Sequence, residues 1–298
     1  MYNRRMTDET KTYLATNKIL VDNELDAILT DMMPPEMATE GYVEALKHSV
    51  LEGGKRLRPI IALATYELYR PIDEEIIRAS CVTELIHAGS LMLDDLPCMD
   101  NAEYRRGKKS SHSLFGESLT ILSSAALWVE SYRILAGLKT EHHAQLVQKA
   151  ADSMGGKGLI QGQLLDLAAF NATQNIEELR KCYELKTSVM FDLAVSIGAI
   201  LGGASDSELD VLHNFAVKFG VAYQIRDDII DETQTIEQAG KDTGLDSKNG
   251  KPNYVSLLGI KEATNELNQT IDEALSHLKT LNTDSTNLKG LSNALRSI

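Results

Sequence analysis

Leu91-Met92-Leu93-Asp94-Asp95-Leu96-Pro97-Cys98-Met99-Asp100 and Val221-Ala222-Tyr223-Gln224-Ile225-Arg226-Asp227-Asp228-Ile229-Ile230-Asp231 share one pattern, an apolar, helix-patterned run that ends in aspartates. Solvated charge runs sit among polar neighbours, whereas these carboxylates open onto the end of a buried face. Six of them converging on one cavity repel one another, at a cost of several kcal/mol unless divalent cations neutralise them. A donor set of hard carboxylate oxygens selects Mg2+ or Mn2+, and an ion held in this way presents substrate phosphates.

Helix geometry sharpens the reading. At about 100° per residue, Asp227 and Asp231 lie about 40° apart and Asp228 about 60° to the other side of Asp231, with Gln224 one turn earlier on the same face. Asp94 and Asp100 would diverge by about 120° on an ideal helix. Pro97 removes a backbone donor and bends or ends the helix, so that Asp100 can swing back toward Asp94. The same 3.6-residue period recurs along the chain, giving candidate helices at 9–31, 40–51, 58–70, 74–96, 115–138, 141–154, 157–170, 176–202, 206–235, 255–282 and 287–297, with no alternating strand. The class is therefore all-α, a single large helical bundle around a central cavity. Breaks at Pro34-Pro35, Gly53-Gly54, Asn101 to Ser111, Gly202-Gly203 and Gly240 to Pro252 are local, so residues 1–298 read as one domain.

Composition limits the function. With 298 residues, 43% hydrophobic and 24% charged, the chain can bury a large core. A net charge of −13 leaves no basic field for nucleic acid or an anionic membrane surface, so a phosphorylated substrate must be captured locally. Cys81, Cys98 and Cys182 form no Cys-x-x-Cys pair and read as reduced thiols of a cytoplasmic protein. Met1 to Glu9 lacks the apolar core of a signal peptide. The longest apolar run, Leu193 to Ala204, is too short for the roughly 20 residues of a membrane span and reads as a buried helix.

Gly53-Gly54-Lys55-Arg56-Leu57-Arg58-Pro59, His87, Arg105-Arg106-Gly107, Gly162-Gln163-Leu164-Leu165-Asp166-Leu167, Lys186-Thr187 and Gln224-x-x-Asp227-Asp228 fall in the order and spacing of another known set. Over about residues 40–260 the chain resembles the trans-isoprenyl diphosphate synthase family, and its Asp-Asp-x-x-x-x-Asp form resembles the farnesyl and geranylgeranyl diphosphate synthases of bacteria and plants. The resemblance implies the isoprenoid synthase fold, a homodimer, and condensation of isopentenyl diphosphate with an allylic diphosphate. It implies three Mg2+ ions bridging Asp94, Asp100 and Asp227, with Asp95, Asp228 and Asp231 closing the shell or holding ligated waters. Arg105, Lys186 and Lys241 would add donors to the allylic diphosphate. Lys55, Arg58, His87 and Arg106 would form a metal-free pocket for isopentenyl diphosphate, and Lys251 joins the substrate-binding residues. Once the allylic C–O bond breaks, the Thr187 hydroxyl, the Gln224 carbonyl and the Lys186 backbone carbonyl suit the cation, while the departed diphosphate removes the proton.

Each element has a plainer reading alone. Lys55, Arg56 and Arg58 could be a solvated helix start, His87 a core histidine, Gln163 and Asp166 a polar pair, Arg105-Arg106 a helix cap and Lys186-Thr187 surface residues. Their joint occurrence favours the enzyme. A family-related cyclase or lyase has no reason to keep Lys55, Arg58 and His87 together, and a regulatory subunit of a heteromeric synthase has no reason to keep six aspartates. Ser124-Ala125 stands where relatives carry Gly-Asp, which predicts a missing helix contact. Gly89 and Ser90, below the first cluster, leave space in the tunnel for the growing tail, which favours a C20 geranylgeranyl product over C15 farnesyl, unless Trp128 or Tyr132 closes the opposite wall.

Overall fold

Long helices begin where the sequence supplies an acceptor for orphan amide groups. Thr7 caps α1 (Asp8–Asp31) by accepting from Thr10 N at 3.2 Å, and Asp73 caps α4 (Glu74–Asp94) by accepting from Ile76 N at 3.0 Å. Between them lie α2 (Tyr42–Leu51) and α3 (Leu57–Tyr66). The computed structural model describes residues 6–32, 41–169, 175–233 and 252–297. Pro34-Pro35, Lys241, Lys251 and most of the break from Gly240 to Pro252 lie outside the described residues.

After α4 comes a hairpin, β1 (Tyr104–Arg105) against β2 (Lys108–Lys109), with Tyr104 opposite Lys109 and Arg105 opposite Lys108. The turn residues Arg106 and Gly107 have φ of 55° and 75°, the doubly left-handed turn whose twist matches antiparallel strands. Periodicity gave only a loop here, because two-residue strands carry no alternation to read. Then follow α5 (Ser111–Phe115), α6 (Glu117–Ala136), α7 (His143–Met154), α8 (Leu159–Ala169) and α9 (Ile176–Tyr183). A π-helical turn at Glu184–Ser188 leads into α10 (Val189–Gly202) and α11 (Asp206–Thr233). The last helices are α12 (Tyr254–Leu258), α13 (Ile260–Leu278) and α14 (Thr286–Ala294). Gly259, with φ of 79°, separates α12 from α13 where the period suggested one helix.

Helix α10 organises the core. It is buried from Met190 through Gly202, as expected of a helix that is apolar on every side. It packs on α3, α4, α7 and α11, while α13 lies along α11 and α6 along α4. Two helical stretches, Glu74–Asp94 and Ile176–Gly202, are long and apolar enough to span a membrane, but 67% and 83% of their apolar windows are buried against the rest of the chain. Cys81 and Cys182 are buried and Cys98 is exposed.

Candidate functional site

The first acidic cluster forms because α4 stops. Its helix ends at Asp94 and the chain turns back, Asp100 N donating to Asp94 O at 2.9 Å and Asn101 N to Leu96 O at 3.0 Å. The return expected at Pro97 is thus made by backbone bonds. Burial pushes the Asp94 carboxyl up to about 6, Asp100 and Asp166 adding to the effect against the pull of Lys186 and Arg105. Such a group is short of positive charge. Asp95 is 3% exposed and accepts from Arg105 through Nε at 2.9 Å and through Nη2. These bonds make it the anchor of β1.

Asp227, Asp228 and Asp231 lie on α11, as the helix-face argument required, but they do not act alike. Asp228 is 1% exposed; its Oδ2 accepts from Tyr183 Oη at 2.7 Å and from Tyr254 N at 3.0 Å, and its Oδ1 from Gln224 Nε2 at 3.2 Å. Both of its oxygens are thus engaged by protein donors, and it ties α9 and α12 to α11. Asp227 lies within electrostatic reach of Arg58 and Tyr223.

The π-turn joins the two clusters. A Cβ at Gly162 would lie 2.4 Å from Lys186 N, and one at Gly220 would lie 2.4 Å from Ser188 Cα, so α8 and α11 press on this turn backbone to backbone. Lys186 Nζ donates to Asp166 Oδ2 at 2.7 Å, and Thr187 Oγ1 donates to Gln224 Oε1 at 3.0 Å. Burial works against the charge on Lys186, yet Asp166 and Asp94 hold its pKa above the ordinary lysine value. One residue thus serves the first cluster while its neighbour touches the helix of the second.

A separate cationic set lies between α3, α4 and the hairpin. The Arg58 guanidinium sits 4.7 Å over the Phe191 ring, and its Nε has no hydrogen-bond partner among the described residues. Burial, then Arg58, Arg106, Arg105 and Arg56, depress the pKa of His87 far below the ordinary value, which keeps the ring neutral at pH 7. Lys55 is exposed at the lip of this loop. The expected donors Lys241 and Lys251 lie outside the described residues.

Among the described residues, no three His, Cys, Asp or Glu side chains form a ready-made metal cage. Asp94, Asp100 and Asp227 instead suit Mg2+, which takes one or two carboxylates and fills its octahedron with waters and phosphate oxygens. The raised carboxyl of Asp94 fits that role, since an ion would supply the missing charge.

The polyprenyl synthetase family model matches residues 39–289. The chain belongs to that family. It is 35% identical over 279 residues to geranylgeranyl pyrophosphate synthase 4 of Arabidopsis thaliana, covering 92% of this chain and 74% of that protein. It is 34% identical over 274 residues to the farnesyl diphosphate synthase of Bacillus subtilis, covering 90% and 91%. Its fold matches the geranyltransferase of Helicobacter pylori, solved with magnesium and isoprenyl diphosphate, at a TM-score of 0.79 and 32% identity over 94% of this chain and 96% of that one. The all-α isoprenoid synthase fold expected from the sequence is the fold observed.

Two details of this polyprenyl synthetase differ from expectation. Gly89 leaves no open space: a Cβ there would lie 2.7 Å from Trp128 Nε1, which donates to Ile86 O at 3.1 Å. Ser90, partly exposed, donates to His87 O at 2.9 Å. Ser124, where a helix contact was expected to be missing, makes one, its hydroxyl donating to Gly89 O at 2.8 Å. Sequence reasoning also passed over Tyr183 and Tyr254, whose link to Asp228 spans distant segments, and it left Arg56 without a role.

Proposed function

We propose that this polyprenyl synthetase condenses isopentenyl diphosphate with an allylic diphosphate, dimethylallyl, geranyl or farnesyl, in an Mg2+-dependent prenyl transfer. One observation carries the reading: the cations divide into two sets, Lys186 and Arg105 each bonded to a carboxylate, Asp166 and Asp95, and Arg58 and Arg106 gathered around the neutral His87. Two anionic substrates, one presented by metal and one not, need that division. Three Mg2+ ions at Asp94, Asp100 and Asp227, with Mn2+ as a substitute, would neutralise the allylic diphosphate so that it can leave.

The chain's own groups supply the rest. Lys186 and Arg105 can each turn from its carboxylate partner toward the same diphosphate. The Gln224 amide, held through Nε2 by Asp228, keeps its carbonyl toward Thr187, so carbonyl and hydroxyl oxygens line the place where positive charge develops. The isopentenyl double bond attacks the allylic carbon as the C–O bond breaks, and the departed diphosphate takes the proton. Incubation with isopentenyl diphosphate, each starter and Mg2+, followed by product sizing, tests this; no product longer than its starter refutes it. Lys55→Ala and Arg58→Ala should chiefly raise KM for isopentenyl diphosphate.

The product we favour is C20 geranylgeranyl diphosphate over C15 farnesyl diphosphate, with Ser90 rather than Gly89 leaving the space and Trp128 setting the opposite wall. Ser90→Phe should then shorten the products by one C5 unit and Trp128→Ala lengthen them; unchanged products from both would refute this wall. A homodimer is supported by the outer face of α6, where Ile121, Leu122 and Val129 are 46%, 63% and 68% exposed. Sedimentation reads the assembly.

A further inference from the structure

Arg56 differs from its neighbours Lys55 and Arg58. It is 1% exposed, and it adopts a left-handed backbone, φ of 53°, that an L residue ordinarily avoids. Its guanidinium is the reason it stays there. Nε donates to Asp22 Oδ1 of α1 at 2.6 Å, and Nη1 donates to Glu84 Oε1 of α4 at 2.7 Å. The Gly53–Pro59 loop is thereby bolted to two helices from below. Gly54, itself at φ of 98°, lies against two guanidinium groups: a Cβ there would sit 2.9 Å from Arg56 Nη1 and 3.1 Å from Arg106 Nη1. The loop conformation and the position of Arg106 therefore depend on the same buried residue.

Charge gives a second link. Glu84, 3% exposed, is an acid shared by the cationic set: it pulls on Arg58 and Arg106 as well as Arg56. An anion site needs its cations free, and a buried carboxylate beside them competes with the ligand for them. Arg56, by engaging Glu84 directly, keeps that carboxylate from neutralising Arg58 and Arg106.

We infer that Arg56 is a positioning residue for the isopentenyl diphosphate site, holding the Lys55–Arg58 loop in place and sequestering Glu84 from the ligand-facing cations. The inference rests on the functional reading above. The charge component is what separates it from a plain structural brace: removing Arg56 should weaken binding, and then removing Glu84 as well should restore part of it, although the double variant has lost more native bonds.

Calorimetric titration of isopentenyl diphosphate into the intact protein reads this without turnover. Arg56→Met should raise the Kd about tenfold or more, and Arg56→Met with Glu84→Gln should recover about threefold of that loss, while KM for the allylic starter changes less than about twofold. A double variant that binds no better than Arg56→Met, a folded Arg56→Met with unchanged Kd, or equal damage to both substrates overturns the inference. Should Arg56→Met fail to fold, Asp22→Asn removes only the partly exposed partner and should raise the Kd about threefold; an unchanged Kd there overturns it equally. Wild-type protein that binds isopentenyl diphosphate without ever extending a starter would instead refute the prenyltransferase reading, and one that does not bind it would refute both.

Discussion

Asp94→Asn should stabilise the metal-free protein and abolish its response to Mg2+. The Asp94 carboxyl is moved from 3.8 to about 6 by burial in a site it shares with Asp100 and Asp166. That displacement corresponds to about 3 kcal/mol against the ionised form, at 1.36 kcal/mol per pKa unit. Because the folded-state pKa is the higher one, the associated stability is fully present below the unfolded value near 3.8 and is lost as pH rises through about 6. At pH 8 the metal-free wild type therefore carries the whole penalty, and the isosteric amide carries none. With an unfolding entropy of about 2 cal/mol/K per residue, 3 kcal/mol is worth about 5 °C in Tm for a chain of this length. Thermal melts in EDTA at pH 8 should show Asp94→Asn melting higher by about that amount, with the gap closing toward pH 4.5. Adding Mg2+ should raise the wild-type Tm and leave the variant's nearly unmoved, while turnover falls by several orders of magnitude. A variant that melts at or below wild type at pH 8 would refute the argument that this carboxylate lacks compensating charge.

Tyr183→Phe removes a donor to the buried Asp228 carboxylate and should cost about 1–3 kcal/mol in urea melts, with a fall in kcat because Asp228 also orients Gln224. Unaltered stability would mean that the carboxylate is satisfied without the hydroxyl. Away from the site, His213 Nδ1 bonds Asp192 Oδ1 at 2.9 Å, and Asp192 Oδ2 accepts from Lys149 at 2.6 Å. The bond to Asp192 raises the His213 pKa, so its stabilising effect is complete below the ordinary histidine value and is lost as pH rises past the raised one. His213→Asn should flatten the stability profile between about pH 6 and 8, read by melts across that range; an unchanged slope would remove His213 as its source.

How far the sequence could be read depended on the range of the forces involved. Helix period, the end of α4 just before Pro97 and the return of Asp100 were legible to within a residue or two because each is set by residues within one or two turns. The hairpin at Tyr104–Lys109 escaped because its strands are too short to alternate, and the π-turn at Glu184–Ser188 escaped because it is imposed by the approach of α8 and α11 at Gly162 and Gly220. The same distinction separates the aspartates. Local geometry put Asp227, Asp228 and Asp231 on one helix face, but whether a carboxylate on that face meets metal or protein is decided by what arrives from elsewhere. For Asp228 the arrivals are Tyr183 and Tyr254, 45 and 26 positions away, and for Arg56 they are Asp22 and Glu84, 34 and 28 positions away. Spacing alone therefore could not show which carboxylates of the set also accept bonds from distant segments of the chain. What local reading could not reach either is where the fold leaves charge under-compensated: Asp94, raised to about 6 by burial, and Arg58, whose Nε has no hydrogen-bond partner among the described residues.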